Sequence, residues 1–291
     1  MTTSFCDERM DREHPSWGGV VPTAAARVFD DLTRYQELLL SQITQRYWIY
    51  QDGPGARAEA EAAGAGSEAP LLDYYAQTPH YLYELSYWES SQDKQSWFEV
   101  LRRACRQFTL QRVLDFGGGV GGLSLALRRA GIACDHLDVP GQTSRYAAWR
   151  FERHAVPVTV LNALAPQTWP RETYDAVIAW DVLEHLFDLD ASLRAIRGLL
   201  RPGGWLLGKS TFATATEGHC HIHLAKHVPY SDVRVLNELM QRCGFGYVGQ
   251  LKPNSLSRAA RAVGMRGAVL GVKVAPRLKH GGNFLIHRRT D

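Results

Sequence analysis

The sequence predicts an α/β protein: a parallel β-sheet covered by helices on both faces, preceded by a helical N-terminal region. Three observations predict it. From residue 112 onward, short apolar runs alternate with amphipathic segments, the order that repeated strand–helix units produce. The first apolar run leads into a glycine-rich turn, Asp115-Phe116-Gly117-Gly118-Gly119-Val120-Gly121-Gly122, and a helix pattern follows it. Before residue 112 the apolar and aromatic side chains recur at spacings of three and four, the period of a helix face. A chain of 291 residues accommodates one large domain or two small ones. The expected division is a helical part over 1–110 and a sheet-containing part over 111–291.

Taken in order, Val28, Leu32, Tyr35, Leu38, Leu39 and Ile43 place a helix over 24–50, with Pro22 and Thr23 as start signals. Gly53-Pro54-Gly55-Ala56 and the Ala/Glu/Gly-rich run after it lack large apolar groups, so a flexible linker is expected near 53–69. Residues 71–110 read as helical and are rich in rings: Tyr74, Tyr75, Tyr81, Tyr83, Tyr87, Trp88, Trp97 and Phe98. These rings either pack a helical cap onto the next unit or line a pocket for an apolar or cationic ligand. Strands are expected over 113–116, 132–137, 158–161, 176–180, 205–210, 245–251 and 283–288. Helices are expected over 123–130, 144–154, 183–200 and 231–243. Gly131 and Gly244 supply the stop signals, and Ser231 reads as the cap of the last helix.

Composition narrows the class. Hydrophobic residues make up 45% and charged residues 22%, as in ordinary globular proteins. No run of about 18 apolar residues occurs, so no membrane span is expected. The polar, acidic start, Met1 to Glu8, has neither a basic nor an apolar leader region, so no secretory signal is expected. Five cysteines, at 6, 105, 134, 220 and 243, are odd in number and show no CxxC spacing. That argues against a disulfide framework and fits a reducing cytoplasm. Charge is uneven: residues 252–290 hold nine Lys/Arg and no Asp/Glu, leaving 24 basic against 30 acidic groups elsewhere.

The glycine-rich turn carries the chemistry. Glycines allow a tight turn and a close approach of ligand to backbone, and the helix that follows presents unpaired N–H groups. Gly117, Gly119 and Gly122 also satisfy the G-x-G-x-x-G dinucleotide fingerprint. Asp138 ends the second predicted strand, where a carboxylate can accept both ribose hydroxyls of an adenosine. To this point any adenosine-containing cofactor fits, including a nicotinamide dinucleotide in an oxidoreductase.

Later residues separate the alternatives. The run 113–121 resembles motif I of class I S-adenosylmethionine-dependent methyltransferases. Asp138-Val139-Pro140 resembles their ribose-binding position, and Asn162-Ala163 their adenine-contacting one. Residues 174–186, ending in Trp180-Asp181-Val182-Leu183-Glu184-His185-Leu186, resemble motif IV and the helix after it. Arg201-Pro202-Gly203-Gly204 is similar to the turn before strand five, and Cys243-Gly244-Phe245 to the step into strand six. The resemblance covers about residues 110–250 and the last strand. It implies a Rossmann-like, seven-stranded, mostly parallel sheet with an antiparallel last strand. It further implies that Asp115, Gly117, Gly118, Gly119, Asp138, Asn162, Ala163, Trp180 and Asp181 hold S-adenosylmethionine. The spacing Asp181-x-x-Glu184-His185 is similar to a divalent-metal site of the ubiquinone-biosynthesis O-methyltransferases. A metal on Asp181, Glu184 and His185 is therefore an expectation of the resemblance.

Methyl transfer requires alignment of a nucleophile and, for a hydroxyl, removal of its proton. His185 is one candidate base. His219, His221 and His223 alternate in a segment after strand five, so they share a face if extended. Of these, His221 and His223 are the preferred pair. The insertion over 252–282 holds seven Lys/Arg and no aromatic residue. It reads as a surface flap or a lid over an anionic acceptor. Without aromatic platforms it does not read as a nucleic-acid interface. The sequence thus points to a cytoplasmic methyltransferase acting at O or N of a small molecule, anionic if the basic insertion is its lid, with the long N-terminal helix as a candidate homodimer contact. A partner subunit that binds cofactor without turnover, a protein of this fold using the cofactor without methyl transfer, and a nicotinamide oxidoreductase are the alternatives.

Overall fold

The computed structural model describes residues 22–51, 64, 66–212, 224–251 and 284–290. The chain begins with α1 (Pro22–Gln36) and α2 (Leu40–Gln51) rather than the single helix expected over 24–50. Glu37 breaks it with φ of 52°, and the Leu38 N–H reaches back to the Thr33 carbonyl at 3.1 Å. This is a left-handed helix stop built without glycine, so no residue at 37 marks the break along the chain. The aromatic stretch is three helices: α3 (Glu68–Gln77), α4 (His80–Glu89) and α5 (Gln92–Gln107). Pro79 ends the first, since the residue before a proline is pushed to extended backbone; Thr78 has ψ of 131°. Ser91 starts the third, its side chain accepting from the Lys94 N–H at 3.1 Å.

The sheet elements follow: β1 (Arg112–Phe116), α6 (Gly122–Arg129), β2 (Ala133–Asp138), α7 (Gln142–Arg153), β3 (Val160–Asn162), β4 (Tyr174–Trp180), α8 (Leu189–Leu199), β5 (Leu200–Lys209), α9 (Val233–Arg242), β6 (Phe245–Leu251) and β7 (Phe284–Arg289). The strand order is β3-β2-β1-β4-β5-β7-β6. The first five strands run parallel, and β7 inserts antiparallel between β5 and β6. This is the seven-stranded sheet that the resemblance implied.

Three boundaries differ from expectation for identifiable reasons. The helix expected over 183–200 is a single 3₁₀ turn, Leu183–His185, followed by α8, which Asp188 caps by accepting from the Ala191 N–H at 2.9 Å. The last helix is capped by Asp232, not Ser231, which ends a 3₁₀ segment, Ala225–Ser231. Residues 201–204 lie within β5, where a register irregularity separates the Tyr174↔Leu200 and Ala176↔Trp205 pairs, rather than in a turn before it.

Strand residues alternate between the two faces, as the period of two requires. Leu114, Val177 and Ala179 pack with α8 and α9, while Val113, Ala176 and Ile178 pack with α5 and α6. A third cluster joins Val28, Leu32, Ile43 and Tyr47 to Leu82, Tyr83 and Tyr87 of α4, and to Val120 and Tyr146 beside the sheet. The N-terminal helices therefore cover the carboxyl end of the parallel strands. They are pinned there by Arg150, which is buried and donates to Asp31, to Glu89 through both terminal nitrogens, and to the Val120 carbonyl. Cys105, Cys134 and Cys243 are buried free thiols. Among the described residues no helix is long and apolar enough to cross a membrane.

Candidate active site

One cavity opens where the cap meets the carboxyl ends of β1, β2 and β4. Its floor is the glycine turn. The Gly117 and Gly118 N–H groups donate to the Leu137 carbonyl at 2.8 and 3.2 Å, which stitches the turn to the end of β2. Gly119 has φ of 55°, and a Cβ there would lie 2.6 Å from Leu85 Cδ1 of the cap. At Gly118 a Cβ would collide with the His136 ring behind the turn. Glycine is thus required for both backbone shape and space. Asp115 braces the turn from below, its Oδ2 accepting from Ser124 N at 3.1 Å and Ser124 Oγ at 2.8 Å. Burial pushes the Asp115 carboxyl up to about 6. Asp138 Oδ2 accepts from the Gly119 N–H at 2.5 Å and Oδ1 from the Val139 N–H at 2.7 Å. Burial likewise pushes Asp138 up to about 6.

The strand-four corner supplies the far wall. Asp181 follows Trp180 with φ of 50°, its N–H bonded to the Lys209 carbonyl at 2.7 Å. Trp180 packs edge-on against Trp88 and Phe98. The Lys94 ammonium lies between two of these rings, 3.5 Å from the Trp88 centroid and 3.3 Å from that of Trp180. Burial pulls the Lys94 amine down to about 7, with Lys209 adding to the fall and Asp181 opposing it.

Asp115, Gly117, Gly118, Gly119, Asp138, Trp180, Asp181 and His185 all line this cavity, together with Lys94, Tyr75 and Tyr81. Asn162 and Ala163 do not. Asn162 pairs with Asp138 in the sheet register, but its Oδ1 accepts from the Leu164 N–H at 2.7 Å, which folds the side chain onto its own loop. Ala163 donates to the Asp138 carbonyl and packs into the core.

Nor does the structure bring Asp181, Glu184 and His185 together as metal ligands. The 3₁₀ turn sends Glu184 inward, where it is 2% exposed and its Oε1 accepts from the Thr211 N–H at 3.0 Å. Burial, with the neighbouring Asp181 carboxylate adding to it, pushes Glu184 up to about 8. His185 instead meets Tyr75, with 3.0 Å between Nδ1 and the phenol oxygen. Among the described residues no group of three His, Cys, Asp or Glu side chains could hold a metal ion. The residues do not fit the implied metal.

His221 and His223, with the rest of the histidine run, lie outside the described residues, as does the basic insertion over 252–282. His227 is described and buried; its Nδ1 donates to the Glu184 carbonyl at 3.2 Å, away from the cavity. The aromatic stretch answers both expectations. Tyr83 and Tyr87 are core, whereas Tyr75, Tyr81, Trp88 and Phe98 line the cavity. Lys94 was missed because nothing in Ser91-Gln92-Asp93-Lys94 distinguishes it from an exposed helix start.

Comparison with known proteins agrees with this geometry. The methyltransferase domain family matches residues 84–250, more than half of the chain. The ubiquinone biosynthesis O-methyltransferase of Paramagnetospirillum magneticum is 34% identical over 110 residues, 38% of this chain and 44% of that protein. The enzyme of that name from Bordetella avium is 29% identical over 162 residues, 53% of this chain and 62% of its own length. The chain therefore spans less than two thirds of the length of either relative. Among solved structures, the N-methyltransferase NodS from Bradyrhizobium japonicum aligns with 68% of this chain and 97% of its own, at 15% identity and a TM-score of 0.46. A likeness that distant carries no argument of its own.

Proposed function

The chain belongs to the methyltransferase domain family, and from that premise we propose that it is an S-adenosylmethionine-dependent enzyme that methylates oxygen or nitrogen of a small molecule. The observation that carries this reading is the shared cavity: a glycine turn stripped of side chains, a carboxylate at the tip of β2, a caged lysine and a histidine all line it. When bound, S-adenosylmethionine would supply a methyl group on a sulfonium, open to in-line attack on the methyl carbon by an oxygen or nitrogen lone pair, the C–S electron pair leaving on sulfur.

In this reading the turn at Gly117–Gly119 accepts the amino-acid end of the cofactor, and Asp138 accepts the ribose hydroxyls. Lys94 meets the cofactor's carboxylate as a charge-assisted partner. His185 takes the acceptor's proton, a task suited to an imidazole near neutral pH. The acceptor lies between Leu71, Leu72 and Tyr81 of the cap and Leu186 and Phe187 after β4. These walls favour a flat, apolar molecule. Lys226 lies 3.2 Å above the Phe187 ring, one of these walls, and supports an acidic substituent beside that ring. The relatives' names favour oxygen as the methylated atom.

Titration calorimetry with S-adenosylhomocysteine tests the reading. Wild type is expected to bind it. Gly119→Arg is expected to abolish binding, since even a Cβ at that position meets Leu85. Retained affinity in the variant overturns the assignment of the glycine turn.

A further inference from the structure

Tyr75 stands apart from the other cavity residues. It lies outside the stretch 84–250 that matches the family, and α3 brings it to His185 from the cap. Its phenol oxygen is 3.0 Å from His185 Nδ1, and the two rings meet edge-on at 86°. We propose that Tyr75 is a positioning residue: it accepts a hydrogen bond from His185 Nδ1–H and so puts the imidazole lone pair on Nε2, the nitrogen that receives the acceptor's proton. The proposal rests on the reading of His185 as the base.

The reason is tautomer chemistry. A neutral imidazole carries one ring proton, and the partner of one nitrogen decides the state of the other. If Nδ1 carries the proton and donates the hydrogen bond to the Tyr75 oxygen, Nε2 has the free lone pair and is the base. If the Tyr75 O–H donates the hydrogen bond to Nδ1, the ring proton sits on Nε2, which cannot accept another. After proton transfer the imidazolium keeps its Nδ1–H···Oη bond, now charge-assisted.

The surroundings hold both partners in place. The end of α3 packs against the turn after β2 with no space to spare: a Cβ at Gly141 would lie 2.7 Å from the Ala76 carbonyl oxygen. Gln142 Nε2 donates to the Gln77 carbonyl at 2.8 Å, fixing the same end. Tyr74 and Tyr81 flank the Tyr75 ring, with centroids 5.6 and 5.7 Å away. On the other side, the His185 N–H bonds the Val182 carbonyl at 3.0 Å, and His227 holds the adjacent Glu184 carbonyl. Two separately anchored backbones thus present one hydrogen bond, and the cap completes the site that the sheet begins.

The test is a long-range ¹H–¹⁵N NMR spectrum of the full chain, labelled at histidine and saturated with S-adenosylhomocysteine. Loss of one ring's signals in His185→Gln identifies His185. Wild type is expected to show the Nδ1–H tautomer at His185, and Tyr75→Phe is expected to lose that preference. An Nε2–H tautomer in wild type overturns the proposal without recourse to any variant. An unchanged pattern in Tyr75→Phe overturns it as well. A calorimetric titration of the same samples separates this from the underlying reading. Binding by wild type with the wrong tautomer sinks the role of Tyr75 alone. Failure of wild type to bind sinks the cofactor reading, and with it the proposal.

Discussion

Lys94 is an ammonium held between two tryptophan rings at the edge of a cavity. Its position there matters because burial brings the amine down to about 7, so its charge changes near neutral pH. A carboxylate placed beside it binds the charged form, and binding must take up a proton once the free amine is neutral. Affinity for S-adenosylhomocysteine is therefore expected to fall above about pH 7, approaching about ten-fold per pH unit. Lys94→Met is expected to bind more weakly at pH 6.5 and to lose this slope. Calorimetry from pH 6 to 8.5 on both proteins checks it, and parallel slopes would remove Lys94 from the cofactor site. Lys94 also shows where reading the chain stopped short. Its neighbours in sequence are polar, and only the return of β4 places Trp180 over it.

Helix ends and helix contacts set the geometry at the next scale. Glu37 is exposed and sits at φ of 52°, a conformation that costs an L-residue about 1 kcal/mol. Glu37→Gly is expected to stabilise the protein by about 0.5 kcal/mol, the strain relieved less the added freedom of the unfolded chain. A urea titration reads this as a higher midpoint with unchanged slope. Arg150 acts between elements. It is 2% exposed and joins Asp31 of α1 and Glu89 of α4 to α7. Arg150→Leu leaves two buried carboxylates without this partner and is expected to cost about 3–5 kcal/mol. A loss below about 1 kcal/mol would mean that Arg153 and His154, which also meet Asp31, hold the cap without it. Asp31 and Glu89 lie far from Arg150 and from each other in sequence, and no local pattern announces these pairs.

The whole molecule buries carboxyl groups around its site, and its stability must follow pH accordingly. Asp115 and Asp138 rise from 3.8 to about 6, and Glu184 from 4.5 to about 8, each mainly through burial. A folded-state value above the unfolded one means that the folded chain holds the extra proton. The stability this contributes is full below the unfolded value and is lost as pH rises through the folded value. Lys94 works oppositely: lowered from 10.5 to about 7, it makes stability rise with pH across that interval. The buried His136 and His287, lowered from 6.5 to about 4, act in the same sense between those values and offset Asp115 and Asp138, so a net decline is expected from about pH 4.5 to 7, where Glu184 acts unopposed. Glu184→Gln keeps an acceptor for the Thr211 N–H and removes the titrating group. It is expected to flatten the decline between pH 5 and 7, measured by urea unfolding across that range. An identical pH profile in wild type and variant would show that Glu184 ionises freely in the folded protein.

The sequence by itself determined the strands and their partners' chemistry. Periods of two and 3.6 reveal which face of an element is buried, and the run of glycines at 117–119 reveals a turn that a ligand can approach. Both signals are local, so Asp115, the glycines and Asp138 were legible as a set, as was a seven-stranded, mostly parallel sheet with an antiparallel last strand through its family resemblance. The tertiary structure alone decided what faces that turn. It turned Glu184 inward and out of a metal site, folded Asn162 onto its own loop, and brought Lys94, Tyr75 and His185 to one cavity. The last of these depends on how helices from distant parts of the chain dock on the sheet. Docking is fixed by contacts such as Arg150 with Asp31 and Gly141 with Ala76, whose partners lie more than sixty residues apart. Spacing along a chain carries no information about such pairs.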